Sequence, residues 1–348
     1  DLHNHPVAQF VRPLLLDYDT SQFKVYVYQL DRMCDEITQQ LKRGGAVWKM
    51  VNALSFAELA AQIRSDEIDV LFDLSGHTAG NVLPVFAWKP ALVQLSGIGY
   101  FNSTGIFETR GFLSDRYCSP ESESPYFIEP LLRLSHSHFC YRPFNKFPEE
   151  GEPPCLKKGY ITFGCFNNFA KVNDSMLLLW KKILEAVPEA HLLLKHMLFG
   201  TAEGGEYTIQ RFHRLGLPLE RIELRGFSND YLEQYHDVDI ALDTSPYPGG
   251  LTSCEALYMG VPMVTLAGNR HGARFGYSFL VNLGLAELAA DSAEKYVSIA
   301  VELSQDWDLL QLFRQKLRGM MQSSSLMNGK QYIREMESLY SQLVDEKE

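Results

Sequence analysis

The chain runs to 348 residues, 46% of them hydrophobic, and its 32 Lys and Arg stand against 43 Asp and Glu for a formal net charge of -11. That balance excludes a general nucleic-acid surface, because tracking phosphates takes clustered cations that displace counterions. An anionic ligand would need a locally positive pocket. No apolar run approaches the roughly 18 residues that span a bilayer, so neither membrane nor nucleic acid is expected as a partner.

The length exceeds what one hydrophobic core usually supports and predicts two domains. Six cysteines, Cys34, Cys118, Cys140, Cys155, Cys165 and Cys254, are scattered without CxxC spacing. They read as reduced, mostly buried thiols of a cytoplasmic protein, with no disulfide framework or zinc ribbon.

The opening, Asp1-Leu2-His3-Asn4-His5-Pro6, crowds a carboxylate, an asparagine and two histidines ahead of an apolar stretch. Two readings stay open for it: a His-x-His metal cluster, which would need His136 and His138 as well, or the tip of a strand-to-helix turn facing an active site. The His136-Ser137-His138 pair otherwise reads as a surface or strand pair. Without a leading Met, the chain is expected to be cut from something longer.

Strand and helix periodicities then alternate. Residues 24–28 and 68–74 are β-branched and apolar, 92–95 is a further strand, and 56–63 is amphipathic at helical spacing. A stretch poor in apolar residues, 143–158, reads as a linker and sets the domain boundary at 150/151. Beyond it come strands at 160–166, 191–195, 222–225, 238–243 and 262–266, alternating with helices at 175–187, 206–215, 231–236 and 253–259. A terminal helix starting at Lys330 is expected to stand as its own segment, 330–348. Such alternation predicts parallel sheets in two doubly wound α/β domains, 1–150 and 151–329.

Ligands of open α/β sheets lie beyond the carboxyl ends of strands, so the loops after strands carry the chemistry. Asp73-Leu-Ser-Gly-His77 offers a histidine that can meet a substrate or simply bond to backbone. Gly97-Ile-Gly99-Tyr100 is glycine-rich enough for backbone amides to approach a ligand. In the second domain Asn167-Asn168-Phe-Ala-Lys171 sets an ammonium just past a strand, and Lys195 ends another, either reaching the same cleft or capping its strand. The stretch from Asp243 to Pro262 is the most specific. A Gly249-Gly250 turn followed by Leu251, Thr252 and Ser253 opens a helix whose amides can hold diphosphate oxygens, and Glu255 can accept hydrogen bonds from a ribose. Arg274 is a candidate phosphate or acceptor contact. The aromatic run 275–279 reads as core, and Tyr231 and Tyr235 as helix packing with at most one ring near a base.

Asn167-Asn168-Phe169-Ala170-Lys171, Leu242-Asp243-Thr244-Ser245-Pro246-Tyr247-Pro248-Gly249-Gly250 and Cys254-Glu255-Ala256-Leu257-Tyr258-Met259-Gly260-Val261-Pro262 resemble the SPINDLY / O-GlcNAc transferase family of protein glycosyltransferases. The likeness extends over nearly the whole chain, through Asn4-His5-Pro6, Gly99-Tyr100 and Gly284-Leu285. It implies the GT-B fold, two Rossmann-like domains facing a nucleotide-sugar cleft, with a tetratricopeptide region upstream in the full protein. It further implies that Asp1 and His5 serve proton transfer or acceptor positioning, with Asn4, His77, Gly99, Tyr100 and Arg274 near the sugar and acceptor. Lys171 would neutralise the diphosphate leaving group, while Asn167, Asn168, Lys195, Tyr231 and residues 249–253 with Glu255 would hold the nucleotide. Tyr231 stands where relatives commonly carry histidine, and Phe101 where proline is common.

The resulting expectation is an inverting transferase that moves a sugar, GlcNAc from UDP-GlcNAc, to Ser or Thr of an acceptor protein, with Lys171 and the helix N-terminus in place of a metal. GDP-fucose as donor and a non-catalytic nucleotide-sugar-binding module stay open as alternatives.

Overall fold

The computed structural model describes residues 1–346 and divides the chain into two compact units: residues 1–144 together with those from 325 on, and residues 145–324. The division falls a few residues before the expected 150/151 boundary. The terminal helix, expected to stand apart, belongs to the first unit.

In the first unit α1 (Pro6–Leu16) starts on His5 as N-cap, with Pro6 where a missing N–H costs nothing. It is followed by β1 (Tyr26–Gln29), α2 (Glu36–Lys42), β2 (Val47–Met50) and α3 (Phe56–Ser65), the last opened by a Ser55/Glu58 capping box. Then come β3 (Val70–Asp73), β4 (Val93–Ser96), β5 (Gly111–Asp115) and β6 (Leu131–Leu134). All strand pairs are parallel, but they form two sheets, β1-β2 and β3-β4-β5-β6.

The second unit begins with the short α4 (Cys155–Lys158) and continues β7 (Thr162–Cys165), α5 (Asp174–Ala186), β8 (His191–Lys195), α6 (Ala202–Leu215), β9 (Ile222–Arg225), β10 (Ile240–Leu242), α7 (Leu251–Tyr258) and β11 (Met263–Leu266). It ends with α8 (Phe275–Asn282), β12 (Ala289–Ala290), α9 (Ala293–Gln305) and α10 (Trp307–Ser323). Its six strands lie in the order β12-β11-β10-β7-β8-β9. Counted in order of appearance from the opposite edge, that is third, second, first, fourth, fifth, sixth, the doubly wound order whose topological switch point lies between the first and fourth strands, here β7 and β10. Both are buried on both faces, as their apolar sequences require. Phe275 and Phe279 are core residues.

The terminal helix α11 (Gly329–Asp345) returns to the first unit, where Leu343 clusters with Val93 and Leu95 while Tyr332, Ile333 and Met336 are also buried. Burial of side chains this size stabilises by roughly 1.5–3 kcal/mol each, enough to make the helix part of that unit's core.

Candidate functional site

The site of the second unit grows from the switch point. Asp243 follows β10 and is 2% exposed. One carboxylate oxygen accepts from the amides of Gly249 (2.7 Å) and Thr244 (2.9 Å) and from Asn167 Nδ2 (3.1 Å), and the other accepts from Thr265 Oγ1 (2.8 Å). Burial raises the carboxyl above its ordinary range while these donors oppose the shift. From below, the Trp180 indole donates to Tyr296 Oη, which donates to the Asp243 carbonyl. Asp243 thereby folds the loop 244–250 back over the start of α7.

At that start a side chain at position 249 would displace the groups around it: a Cβ there would lie 2.3 Å from Ser253 Oγ, 2.7 Å from Thr252 Oγ1 and 2.8 Å from Asn167 Oδ1. Gly250 is the N-cap of α7 and offers no side-chain hydrogen bond to it, and a Cβ at 250 would meet nothing within 4 Å. The first amides of the helix are thus left uncapped beside open space, the arrangement that binds anions. Thr252 Oγ1 donates to Asn167 Oδ1, and Ser253 Oγ is buried with no hydrogen-bond partner among the described residues. A cavity of about 20 Å³ borders Asn167, Asp243, Thr252 and Ser253.

Lys171 closes the short turn after β7 that Asn168 caps through the Ala170 amide (3.0 Å). Its Nζ donates to the Pro248 carbonyl at 2.9 Å and lies 3.9 Å from the centre of the Tyr247 ring. The ammonium is therefore fixed to the residue preceding the Gly249-Gly250 turn, and burial lowers its pKa.

Glu255, one turn into α7, is 2% exposed, and burial pushes its carboxyl up to about 7 against the hydrogen bond from Tyr231 Oη (2.5 Å). Tyr231 is thus a partner of Glu255 rather than part of helix packing, and it occupies one oxygen of the carboxylate expected to meet ribose hydroxyls. Lys195 does not join Lys171: its Nζ donates to the Gly226 carbonyl (2.7 Å) and Ser228 Oγ (2.8 Å), pinning the loop that leads to Tyr231. Arg274 is likewise engaged in its own loop, donating to the Gly268 carbonyl (2.9 Å) with its guanidinium over Tyr277. Sequence reasoning did not single out Asp243, although a carboxylate ending an apolar strand before a Pro- and Gly-rich loop is a readable signal.

In the first unit the opening turn is half-exposed. His5 caps α1 through Nδ1, which accepts from the Val7 amide at 3.3 Å, and Asp1 Oδ1 lies 3.4 Å from the same nitrogen. With Nδ1 accepting, the neutral ring carries its proton on Nε2. Burial, with His3 adding to it, lowers the His5 pKa below its ordinary value, so the ring is neutral near pH 7. The Asn4 amide donates to Asp35 Oδ2 (2.6 Å), and Thr38 Oγ1 to the Leu2 carbonyl (2.8 Å).

After β3, Asp73 repeats the role of Asp243, accepting from the Gly76 amide (2.7 Å), the Ser75 amide (3.2 Å) and Ser96 Oγ (3.0 Å). Gly99 packs so closely that a Cβ would lie 1.9 Å from the Leu74 carbonyl oxygen, and His77 bonds through Nε2 to the Thr104 carbonyl (2.7 Å) with its ring edge-on to Tyr100. His136 and His138 are not a surface pair: His138 is fully buried, 2.6 Å from Asp115. Among the described residues the one group of three metal-ligating side chains is Asp115, Cys118 and His138, which includes neither His3 nor His5.

The sequence profile of glycosyl transferase family 41 matches residues 1–149 and 154–336. Proteins named probable UDP-N-acetylglucosamine–peptide N-acetylglucosaminyltransferase SPINDLY are similar over 98% of the chain, at 37% identity in Arabidopsis thaliana and 36% in Petunia hybrida. The chain spans only 38% and 37% of those relatives' lengths. Among solved structures, a mutant of the O-GlcNAc transferase of Thermobaculum terrenum superposes on the whole chain with a TM-score of 0.93 at 34% identity, the chain covering 66% of it. Anabaena HepE, solved with UDP and glucose, covers 96% of the chain at a TM-score of 0.57 and 14% identity, a likeness of fold alone. The α/β architecture is that of the GT-B glycosyltransferases, and the chain belongs to glycosyl transferase family 41.

Proposed function

We propose that this chain is the catalytic region of an inverting protein glycosyltransferase that moves GlcNAc from UDP-GlcNAc to Ser or Thr of an acceptor protein. The observation that carries the reading is the uncapped start of α7 beside the anchored Lys171, which puts a full positive charge and free amides at one turn. Those groups suit a diphosphate: the amides of residues 251–253 bind its oxygens, and Lys171 stabilises the negative charge that grows on it as the glycosidic bond breaks. The buried, unpartnered Ser253 hydroxyl supports an anion there, since such groups are costly without a partner. This turn supplies the positive charge for which many transferases use a cation, and activity in excess EDTA is the expected outcome. Glu255, steadied by Tyr231, accepts a ribose hydroxyl with its remaining oxygen.

The acceptor's proton goes to the opening turn of the first unit. Because His5 spends Nδ1 on the helix cap and holds its proton on Nε2, Asp1 is the base in this reading, directly or through water, and His5 a hydrogen-bond donor. Similarity to proteins named as peptide N-acetylglucosaminyltransferases supports a protein acceptor. A cytoplasmic setting belongs to the same proposal; no described helix is long and apolar enough to cross a membrane. An upstream tetratricopeptide region in the full protein belongs to the same proposal.

Calorimetric titration with UDP, GDP and their sugar conjugates, repeated on Lys171→Ala, tests the reading. Tight UDP binding lost in the variant, with GlcNAc transferred to a peptide, is expected. Preference for GDP-fucose would replace the donor. Binding without transfer to peptide or water would leave a nucleotide-sugar-binding module.

A further inference from the structure

Burial works against the charge of Lys171, and charged groups inside proteins are ordinarily paired with the opposite charge. Its ammonium instead donates to the Pro248 carbonyl (2.9 Å) and lies 3.9 Å from the centre of the Tyr247 ring, and among the described residues no carboxylate pairs with it. Asp243, Cys165 and Tyr247 are the titratable groups that face it. The Asp243 oxygens are already taken by Gly249, Thr244, Asn167 and Thr265, so its charge acts on the lysine only from a distance. Burial pushes the Cys165 thiol up to about 12, which leaves it uncharged.

We propose that Tyr247 is a positioning residue for transfer: its ring face holds the Lys171 ammonium in place without neutralising it, which reserves the whole positive charge for the leaving diphosphate. This deepens the transferase reading of the turn and rests on it. An aromatic face attracts a cation through its quadrupole, most strongly where water is excluded, and the Pro248 carbonyl adds a dipole. Neither partner carries a net charge. An ionised carboxylate in the same place would hold the lysine as firmly, but it would cancel the lysine's field where negative charge grows in the transition state.

The loop, rather than the lysine, sets the ring. Tyr247 stands between Pro246 and Pro248, whose fixed φ angles restrict the backbone on both sides. Its carbonyl accepts from Thr244 Oγ1 (2.7 Å), and the Ser245 carbonyl accepts from Asn173 Nδ2 (2.8 Å). At 45% exposure Tyr247 is too open to be a core residue, so packing alone does not account for an aromatic side chain here. An ammonium has three donors. With one on Pro248 and one against the ring, Lys171 keeps a third for a ligand.

Two variants test it: Tyr247→Leu, which keeps an apolar cover over the lysine but removes the π face, and Tyr247→Phe, which keeps the face and drops the hydroxyl. In peptide transfer from UDP-GlcNAc, the leucine variant is expected to lose about tenfold in kcat with a smaller change in donor KM. The alkaline limb of kcat/KM, where free Lys171 loses its proton, should move down by about one pH unit, and the alkaline limb of UDP affinity in calorimetry should move with it. The phenylalanine variant should stay within about threefold of the parent and keep both limbs in place. Thermal unfolding of both variants at the assay pH separates these effects from loss of fold. A leucine variant with the parent's kcat and alkaline limbs would overturn the proposal. So would a phenylalanine variant as slow as the leucine one, which would assign the role to the hydroxyl. A parent that neither binds UDP nor transfers sugar would instead sink the transferase reading of the turn, and this inference with it.

Discussion

Asp243 and Asp1 occupy comparable positions, each carboxylate heading a turn that leads into a helix, yet their surroundings differ sharply. Asp243 is buried and accepts from three backbone or side-chain donors on one oxygen and a fourth on the other, whereas Asp1 is about one-third exposed and lies 3.4 Å from His5. The first builds a rigid turn from the inside. The second presents its chemistry outward and is held by the few contacts of residues 2–5. Rigid positioning of fixed charge suits leaving-group stabilisation, and an accessible carboxylate suits a proton acceptor that must meet a large substrate.

The sharpest break of this contrast is Lys171→Ala. Its ammonium contacts a carbonyl and an aromatic ring rather than a buried anion, so removal is expected to cost ~10²–10³-fold in kcat with little change in melting temperature. Peptide-transfer kinetics beside thermal unfolding decide it; equal loss of fold and activity would make Lys171 a structural residue.

Asp243→Ala and Asp1→Asn then separate the two carboxylates directly. The first orphans four donors and is expected to destabilise by about 2–4 kcal/mol in urea unfolding, since each buried unsatisfied group costs about 1–3 kcal/mol and partial relaxation recovers some of it. The second should cost under about 0.5 kcal/mol, as surface changes do, while lowering transfer. Comparable unfolding midpoints for the two variants would dissolve the distinction.

Glu255 sharpens the comparison through pH. Its folded pKa, about 7, lies above the ordinary 4.5, so the folded state binds this proton more tightly. The associated stability is fully present below pH 4.5 and is lost as pH rises through 7. Glu255→Gln keeps the hydrogen bond from Tyr231 without the buried charge. It is expected to match the parent at pH 5 and to exceed it by roughly 1–3 kcal/mol at pH 8.5, at the expense of nucleotide affinity. A constant difference across that range would mean the carboxyl titrates normally.

Much of the second unit was legible in its sequence because β7, β8 and β10 are largely apolar runs, and the Gly249-Gly250-Leu251-Thr252 turn marks the start of α7 locally. The first unit was less readable. β5, Gly111–Asp115, buries Ser114 against Ser119 and Asp115 against the Tyr117 and Cys118 amides and His138, so no apolar pattern marks it. The home of α11 is set by Val93 and Leu95, more than two hundred residues away, which periodicity within the helix cannot report. The pairing of Tyr231 with Glu255 was hidden for the same reason: their hydrogen bond spans 24 residues. Lys195 looked like a second cleft lysine because its two acceptors, in the loop after β9, are fixed only once β8 and β9 pair.

The last test falls on His5, where capping and chemistry share one ring. Loss of an N-cap costs about 1 kcal/mol, and asparagine caps as well as any residue, so His5→Ala should lower stability by about that much while His5→Asn restores it. Transfer activity discriminates further. If His5 only shapes the turn, the asparagine variant recovers activity together with stability. If its Nε2 proton meets the substrate, the stable asparagine variant stays slow. Because burial holds the His5 pKa below its ordinary value, the parent's rate should show no inflection from this ring between pH 6 and 8, and one there that vanishes in both variants would restore the imidazole as the base.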